Sequence, residues 1–249
     1  MKIKKIIKKF FFKQRKASTK VGTLNEKTRV DWIESTLKKI PENSRILDAG
    51  AGEQQFKQFC KHLKYVSQDF AAYNPSKLKS GLQVDKWDYG ELDIISDIAN
   101  IPQEDSSFDA IMCTEVFEHI INPREALKEF KRLLKKNGYL IITAPFCSLT
   151  HFAPYHYYTG FSKYFYELEL EKNDFTIIDV KANGNYFEYL AQEVKRIEHV
   201  SKNYTQVNLS KDDKANIYNL EVLLEKLSKN DTNSSELLCF GYHILARKK

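Results

Sequence analysis

The sequence predicts a doubly wound α/β fold, in which helices cover both faces of a mostly parallel β-sheet. The chain has 249 residues, of which 42% are apolar, and this is enough for one large core. Short β-type runs alternate with helical patterns, as they do in βαβ units. The first of these runs leads into a glycine turn at Gly50 and Gly52, where open α/β sheets bind ligands.

The first predicted helix covers residues 25–40, and it stops at Pro41 because proline cannot continue a helix. Beyond it, short apolar runs predict strands, and apolar residues that return every three or four positions predict helices. The predicted strands are residues 45–49, 64–68, 92–96, 109–114, 139–143, 176–181 and 237–246, and the helices among them are residues 54–62, 123–136 and 163–172.

The C-terminal third departs from simple alternation. Two helical stretches, residues 186–201 and 212–227, separate the sixth predicted strand from the last. No internal repeat or low-complexity linker interrupts the sequence. We therefore predict a basic N-terminal segment at residues 1–24 and a single domain at residues 25–249, within which residues 183–235 form a helical insertion.

Positive charge is concentrated at the N-terminus. The net charge is +6, but residues 1–20 hold eight lysines, Arg15 and no acid, which leaves the remaining chain at −3. This pattern predicts a basic amphipathic helix that contacts an anionic membrane surface. Two alternatives stay open, a helix packed on the domain's own edge and a disordered solubilising tail. The apolar face would consist of Ile3, Ile6, Ile7, Phe10 and Phe11.

Composition also argues against several classes of protein. No apolar run reaches the roughly 18 to 20 residues that cross a bilayer, and no signal-peptide pattern is present, so we predict a cytoplasmic protein with at most peripheral contact at the inner membrane surface. The four cysteines form no CxxC pair, and the histidines and acids show no metal-ligand spacing, so we expect neither disulfides nor a metal. The acidic body argues against a nucleic-acid partner.

The glycine turn itself indicates which ligand is bound. Gly50 and Gly52 allow a sharp bend and a close approach of the backbone to a ligand. Asp48 stands just before them, a position at which a dinucleotide-binding turn rarely has an acid. The acid therefore argues against a nicotinamide cofactor. A carboxylate there can instead accept from an ammonium group of the ligand.

Two more acids follow the next two predicted strands. Asp69 stands at the end of the second strand, where an acid can accept from both hydroxyls of a ribose. Asp97 follows the third strand, where it can accept from an exocyclic amine, with Ile98 against a purine face. The pattern therefore predicts a ribose-bearing ligand. Alternatively, Asp48 or Asp97 only caps a helix.

Further motifs, in order and at matching spacing, resemble class I S-adenosylmethionine-dependent methyltransferases, particularly the type 11 branch. These motifs lie at residues 108–111, 115–120, 122–123 and 133–140, with the glycine turn before them. The resemblance implies a Rossmann-like sheet of seven strands in the order 3-2-1-4-5-7-6, with strand 7 antiparallel. One departure is Gln54, because the family usually has a third glycine there.

The resemblance also implies that the cofactor is S-adenosyl-L-methionine and which residues surround it. The acid and glycines of the turn would hold the methionine moiety, Asp69 the ribose, and Asp97 with Ile98 the adenine. The implied cofactor-binding residues are Asp48, Ala49, Gly50, Gly52, Asp69, Phe70, Asp97, Ile98, Thr114 and Glu115.

Candidate catalytic residues follow from the reaction. A hydroxyl acceptor requires a base to remove its proton, and the candidates are His119, His151, His156 and Glu115. His119 alternatively caps or packs a helix. The loop at residues 151–161 is unusually aromatic for a loop, so its rings are predicted to stack on the acceptor, with residues 74–89 as the facing wall. The alternatives are a small satellite core for the first segment and an ordinary surface loop for the second.

The predicted function is therefore methyl transfer to a small-molecule or sugar- or lipid-linked acceptor, with O-methylation as the expected reaction. By analogy with the family, polysaccharide biosynthesis is one pathway that such an enzyme serves. Two alternatives stay open. One is a nicotinamide-dependent oxidoreductase on a similar sheet, and the other is a non-catalytic module that binds the cofactor without transferring a group.

Overall fold

The computed structural model describes residues 19–75, 81–84 and 86–249. They divide into two compact units. The larger unit comprises Asn25–Gly184 and Ser235–Lys249, and the smaller comprises Asn185–Ser234 together with residues 19–24. The amphipathic helix predicted for the N-terminus falls mainly on residues 1–18, which lie outside the described residues.

The larger unit contains one sheet of seven strands among its described residues, in the order β3-β2-β1-β4-β5-β7-β6. β7 pairs antiparallel with both β5 and β6, whereas the other neighbours pair in parallel. The predicted strand order and the antiparallel seventh strand are therefore confirmed. The strands are β1 (Arg45–Ala49), β2 (Lys64–Asp69), β3 (Ile94–Ile95), β4 (Phe108–Thr114), β5 (Leu134–Pro145), β6 (Phe175–Asn183) and β7 (Gly241–Lys248).

Helices cover both faces of this sheet because neighbouring residues of its strands point to opposite sides. On β1, Leu47 belongs to a core cluster that also contains Phe130. Its neighbour Ile46 belongs to a second cluster, with Trp32 and Ile33. The helices of the larger unit are α1 (Asn25–Leu37), α2 (Pro123–Leu133) and α3 (Lys163–Lys172).

The helix predicted at residues 54–62 is wrong. Gln54 has a φ of 57°, a left-handed conformation that an α-helix cannot contain. Its side-chain amide holds the residue there by donating to the carbonyl oxygens of Tyr89 and Glu91, each at 2.8 Å. A three-residue 3₁₀ helix at Lys57–Phe59 is all that follows. The glutamine thus takes a left-handed conformation at the position where the resemblance implies a glycine.

Several other element bounds differ from the prediction: α1 ends at Leu37 rather than at residue 40, and β7 spans Gly241–Lys248 rather than residues 237–246. The helix expected at residues 123–136 ends at Leu133, because Leu134 is extended and pairs with Phe108 at the start of β5. Leu134 continues the helical spacing of apolar residues only because it is buried in the sheet. The third strand, predicted at residues 92–96, is only Ile94–Ile95. The strand-like sequence pattern is therefore longer than the segment that pairs with β2.

The smaller unit contains the two long helices that the sequence predicts, α4 (Tyr186–Tyr204) and α5 (Lys211–Lys229). Its core contains Val21, Ala191 and Leu224. The backbone N–H of Gly22 donates to Glu188 at 2.6 Å, which ties the residues before α1 to α4. Within the described ranges, no helix combines the length and the apolar character that crossing a bilayer would require.

Candidate active site

A cavity of about 890 Å³ lies at the carboxyl ends of the first strands of the sheet. Ligand sites of proteins usually measure about 300 to 1,000 Å³, so this one is large enough for two small molecules. Its position is the crevice in which open α/β sheets bind ligands. The lining includes the glycine turn, an acid at the end of β2 and one after β3, residues at and after the end of β4, and a group of aromatic rings.

The glycine turn has no room for side chains. Gly50 has a φ of 79° and Gly52 of 50°, a region that favours glycine. A Cβ at Gly50 would lie 2.5 Å from a methyl group of Val116, and one at Gly52 would lie 2.8 Å from the Trp87 ring. The backbone N–H groups of Gly50 and Ala51 both donate to the Gln68 carbonyl oxygen at 2.8 Å, which ties the turn to β2.

Asp48 lies beneath this turn. The side chain is 1% exposed, and it does not belong to the cavity lining, nor does Ala49. Alternation along β1 places Asp48 on the face of Tyr65, whose hydroxyl donates to Oδ2 at 2.6 Å, while Oδ1 has no hydrogen-bond partner among the described residues. Burial raises the pKa of Asp48 to about 7. Contact of Asp48 and Ala49 with the cofactor stays a prediction.

Asp69 lines the cavity and is itself hydrogen-bonded to the turn. Its Oδ2 accepts from the backbone N–H of Gly52 at 3.0 Å, and Oδ1 accepts from that of Ala71 at 2.9 Å. A carboxylate offers about four lone-pair sites, so each oxygen can still accept one ribose hydroxyl. Phe70 follows it, 46% exposed at the cavity wall.

Asp97 and Ile98 line the cavity after β3. Asp97 is exposed, and its Oδ1 accepts from the backbone N–H of Ala99 at 2.8 Å, in a turn rather than at a helix start. Ile98 is buried, whereas the side chain of Ile95 beside it is 68% exposed. A carboxylate next to an apolar surface is the environment that an adenine ring with its exocyclic amine requires.

Thr114 and Glu115 line the cavity after β4, together with a residue that the sequence analysis missed. Arg29 of α1 forms an ion pair with Glu115 at 3.1 Å. The other carboxylate oxygen of Glu115 accepts from the Thr143 hydroxyl at 2.9 Å. These contacts fix the position of the Glu115 side chain in the cavity wall. No motif marks Arg29, because the pairing joins residues far apart in the sequence.

The three candidate histidines come together. The ring centres of His119 and His151 are 4.7 Å apart, and that of His156 is 4.9 Å from His151. His119 alone of the three lines the cavity, with its Nδ1 2.5 Å from the Tyr155 carbonyl oxygen. Burial lowers the pKa of His119 to about 4, so its ring is neutral at pH 7.

The aromatic loop after β5 contacts aromatic residues that follow β2 beside the cavity. The ring of Phe152, in the loop after β5, lies 4.7 Å from Tyr73 and 5.2 Å from Trp87, measured between centres. Phe70 and Tyr155 meet in the same way, at 5.1 Å. The backbone joins the segments too, because the N–H of Phe152 donates to the Leu82 carbonyl oxygen at 3.2 Å. Together these rings form one wall.

Comparison with known proteins gives matches over most of the chain. Residues 22–209 match the methyltransferase domain family. Over 113 residues, the chain is 31% identical to the uncharacterised protein MJ0638 of Methanocaldococcus jannaschii. The matched residues make up 44% of this chain and 45% of that protein. The chain therefore spans less than half the length of this relative.

Solved structures resemble the chain at low sequence identity. A SAM-dependent methyltransferase from Archaeoglobus fulgidus is 17% identical, with a TM-score of 0.52 over 91% of this chain and 98% of that one. The [4+2]-cyclase SpnF is 14% identical, with a TM-score of 0.51 over 88% and 80%. Geranyl diphosphate methyltransferase in complex with SAM is 10% identical, with a TM-score of 0.51 over 89% and 85%. At these identities the resemblance concerns the fold.

Proposed function

This chain belongs to the methyltransferase domain family of class I S-adenosylmethionine-dependent enzymes, and we propose that it methylates a hydroxyl group of a small-molecule or sugar- or lipid-linked acceptor. One observation carries the proposal. The glycine turn, Asp69 and the aromatic wall all border the same cavity, so a cofactor and an acceptor can meet inside it.

The residues around the turn fit the cofactor. When bound, S-adenosylmethionine supplies a methyl group on a positively charged sulfur. An acceptor would attack the methyl carbon in line and displace the sulfur. The bare backbone at Gly50 and Gly52 lets the methionine part approach closely. Asp69 accepts from the ribose hydroxyls, and Asp97 with Ile98 receives the adenine. Thr114 and Glu115 line the same cavity.

The aromatic wall supports the choice of acceptor. The cavity is lined by Phe152, Tyr155 and Tyr157 of the loop after β5 and by Tyr73 and Trp87, which contact Phe152. Aromatic faces bind flat or cyclic groups by stacking at little entropic cost, since each ring has only two rotatable bonds. An in-line displacement depends mainly on alignment and on exclusion of water, and a wall of rings provides both.

An acceptor hydroxyl also has to lose its proton. The histidine cluster consists of His119, which lines the cavity, and of His151 and His156 in the aromatic loop, whose rings lie beside it. Glu115 is less suited to this task, because its carboxylate is neutralised by Arg29 at 3.1 Å. We therefore assign activation of the hydroxyl to this cluster.

Calorimetric titration with S-adenosylhomocysteine tests the cofactor site. The full-length chain should bind one equivalent, and Asp69→Asn should bind at least about 30-fold more weakly, because hydrogen bonds to a charged group contribute about 1.5 to 3 kcal/mol each. Asp105→Asn is the matched control, since Asp105 pairs with Arg132 outside the cavity at 2.7 Å. It should bind as the unchanged chain does.

Two results would contradict the proposal. Saturable binding of NAD in place of S-adenosylhomocysteine would indicate an oxidoreductase. Binding of the cofactor without transfer of a labelled methyl group to any hydroxylated acceptor, across sugars, lipid-linked sugars and phenols, would favour a non-catalytic module.

A further inference from the structure

Glu118 is the least expected residue beside the cavity. It lies in the 3₁₀ helix Phe117–His119 that follows β4, with a side chain that is 0% exposed. Neither of its carboxylate oxygens has a hydrogen-bond partner among the described residues. A buried carboxyl group without partners is costly. This environment therefore suggests that a group absent from the polypeptide completes it.

Two imidazoles face this carboxylate. The Nε2 atom of His119 lies 3.6 Å from Oε1 of Glu118, and the Nε2 atom of His151 lies 3.8 Å from the same oxygen. One ligand atom from each of the three side chains lies within 4.8 Å of the other two. Ligand atoms that bind one ion tetrahedrally at about 2.1 Å are about 3.4 Å apart. Small movements would therefore let all three reach one ion.

Hydrogen bonds already set the tautomer that a metal requires. The Nδ1 atom of His119 is 2.5 Å from the Tyr155 carbonyl oxygen, and that of His151 is 2.8 Å from the Leu149 carbonyl oxygen. A carbonyl only accepts, so Nδ1 carries the proton in each ring and Nε2 is the basic nitrogen. Metal-binding histidines are oriented in this way by backbone carbonyls.

The backbone holds the two segments of the cluster together. The Glu118 carbonyl oxygen accepts from the N–H groups of Tyr157 and Tyr158, at 2.8 and 3.3 Å. The loop that carries His151 is thus tied to the 3₁₀ helix that carries Glu118 and His119.

We propose that Glu118, His119 and His151 form a binding site for one divalent transition-metal ion, with Zn²⁺ as the best match to two imidazoles and one carboxylate. Three protein ligands leave at least one coordination position open, as in catalytic zinc sites. His119 also lines the cavity. Use of the ion in the reaction rests on the proposed function: an acceptor oxygen that takes the open position would lose its proton more easily.

Metal binding is measured on the metal-free, full-length chain. Titration with ZnCl₂ against a chromophoric chelator should give one tight equivalent per chain. Titration with Co²⁺ should give the visible absorption of a four- or five-coordinate ion. Glu118→Gln and His151→Ala should each weaken zinc binding at least about 100-fold, since even the loss of an outer partner of a metal ligand costs 10- to 100-fold.

Two controls separate this site from its surroundings. His156→Ala removes the neighbouring imidazole, which is bonded to Ser148 at 3.1 Å instead, and it should leave the zinc affinity within a few-fold. Binding of S-adenosylhomocysteine should be unchanged in Glu118→Gln and His151→Ala. That result shows that the variants are folded, and it separates failure of the metal site from failure of the cofactor site.

The inference is overturned if the unchanged chain binds no stoichiometric zinc, or if Glu118→Gln and His151→Ala bind it as tightly as the unchanged chain. Loss of zinc binding in His156→Ala with full retention in His151→Ala would likewise overturn the assigned ligand set.

Discussion

Gly50 cannot carry a side chain without cost for two reasons, its backbone conformation and the lack of space around it. A left-handed conformation costs a residue with a Cβ about 1 to 2 kcal/mol. The contact of 2.5 Å with Val116 adds to this, as overpacking usually costs about 1 to 3 kcal/mol. The two penalties can be separated, because Gly90 also has a positive φ, of 60°, but has more room.

We therefore expect Gly50→Ala to lower the free energy of unfolding by about 2 to 4 kcal/mol and Gly90→Ala by only about 1 kcal/mol. At Gly90 the nearest atom to the added Cβ would be the Gln54 amide nitrogen, at 3.5 Å. Urea denaturation of both variants measures the difference. Adding Val116→Ala to Gly50→Ala should recover the steric share. Equal losses at the two glycines would show that Val116 moves aside without cost.

His243 makes the stability of the folded protein depend on pH. The side chain is 2% exposed and stacks on Trp32, with ring centres 5.0 Å apart. Burial, assisted by the charges of Arg29 and Lys181, lowers its pKa to about 3, below the ordinary value of about 6.5. As the pH falls through this window, the unfolded chain takes up the proton first. Stability contributed by neutral His243 is therefore complete above about pH 6.5 and is lost progressively below it.

The variant His243→Phe should keep the stacking and lack this dependence. Between pH 6.5 and 4.5, the unchanged chain should lose up to about 1.4 kcal/mol per pH unit more than the variant. Urea denaturation at pH 6.5, 5.5 and 4.5 measures this, and other titrating groups cancel in the comparison. Parallel stability curves for the two proteins would contradict the account of His243.

At the scale of single elements, α5 shows how local sequence starts a helix. The hydroxyl of Ser210 accepts from the backbone N–H of Asp213 at 3.1 Å, and the carboxylate of Asp213 accepts from the backbone N–H of Ser210 at 2.8 Å. This reciprocal pair is a capping box. It involves no other part of the chain.

Ser210→Ala should therefore weaken the start of α5 by about 1 kcal/mol, the usual value of such a cap. Amide hydrogen exchange in the first turn of α5 should become about 5-fold faster, while that of β4 stays unchanged. Ser210→Asn, which keeps a side-chain acceptor, is the matched control and should exchange at nearly the original rate. If the alanine variant exchanges no faster, the cap does not limit opening of this turn.

At the scale of the whole molecule, the uneven charge suggests a location. Residues 1–20 are strongly basic, whereas the remaining chain is at −3. Peripheral binding to an anionic membrane remains a prediction for this segment. The structure improves its test, because Val21 is buried in the core of the smaller unit and Gly22 is bonded to Glu188. A truncation should therefore stop before these residues.

We expect the full chain to sediment with vesicles that contain anionic lipid, and a chain that begins at Thr19 to stay in solution. Basic residues near such a surface contribute about 1 kcal/mol each, so binding should weaken steeply as salt is raised. Neutral vesicles serve as the control. Equal binding of both chains would leave the membrane prediction without support.

The sequence alone determined the features that depend on short stretches of chain. Alternating strands and helices, the glycine turn after β1, and Asp69 and Asp97 after the next strands are local patterns, because period and turn chemistry are properties of a few adjacent residues. The strand order came from the resemblance of several ordered motifs to one family. Only ordered motifs made that order predictable.

The tertiary structure alone decided which distant residues meet. Gln54 takes a left-handed conformation because carbonyl oxygens more than thirty positions away hold its amide. Arg29 reaches Glu115 across 86 positions, and Glu118 meets His151 only because the loop after β5 folds back onto the end of β4. Such pairings leave no period or spacing in the sequence, since they depend on how the strands are ordered in the sheet. The candidate metal site is therefore visible only in the folded chain.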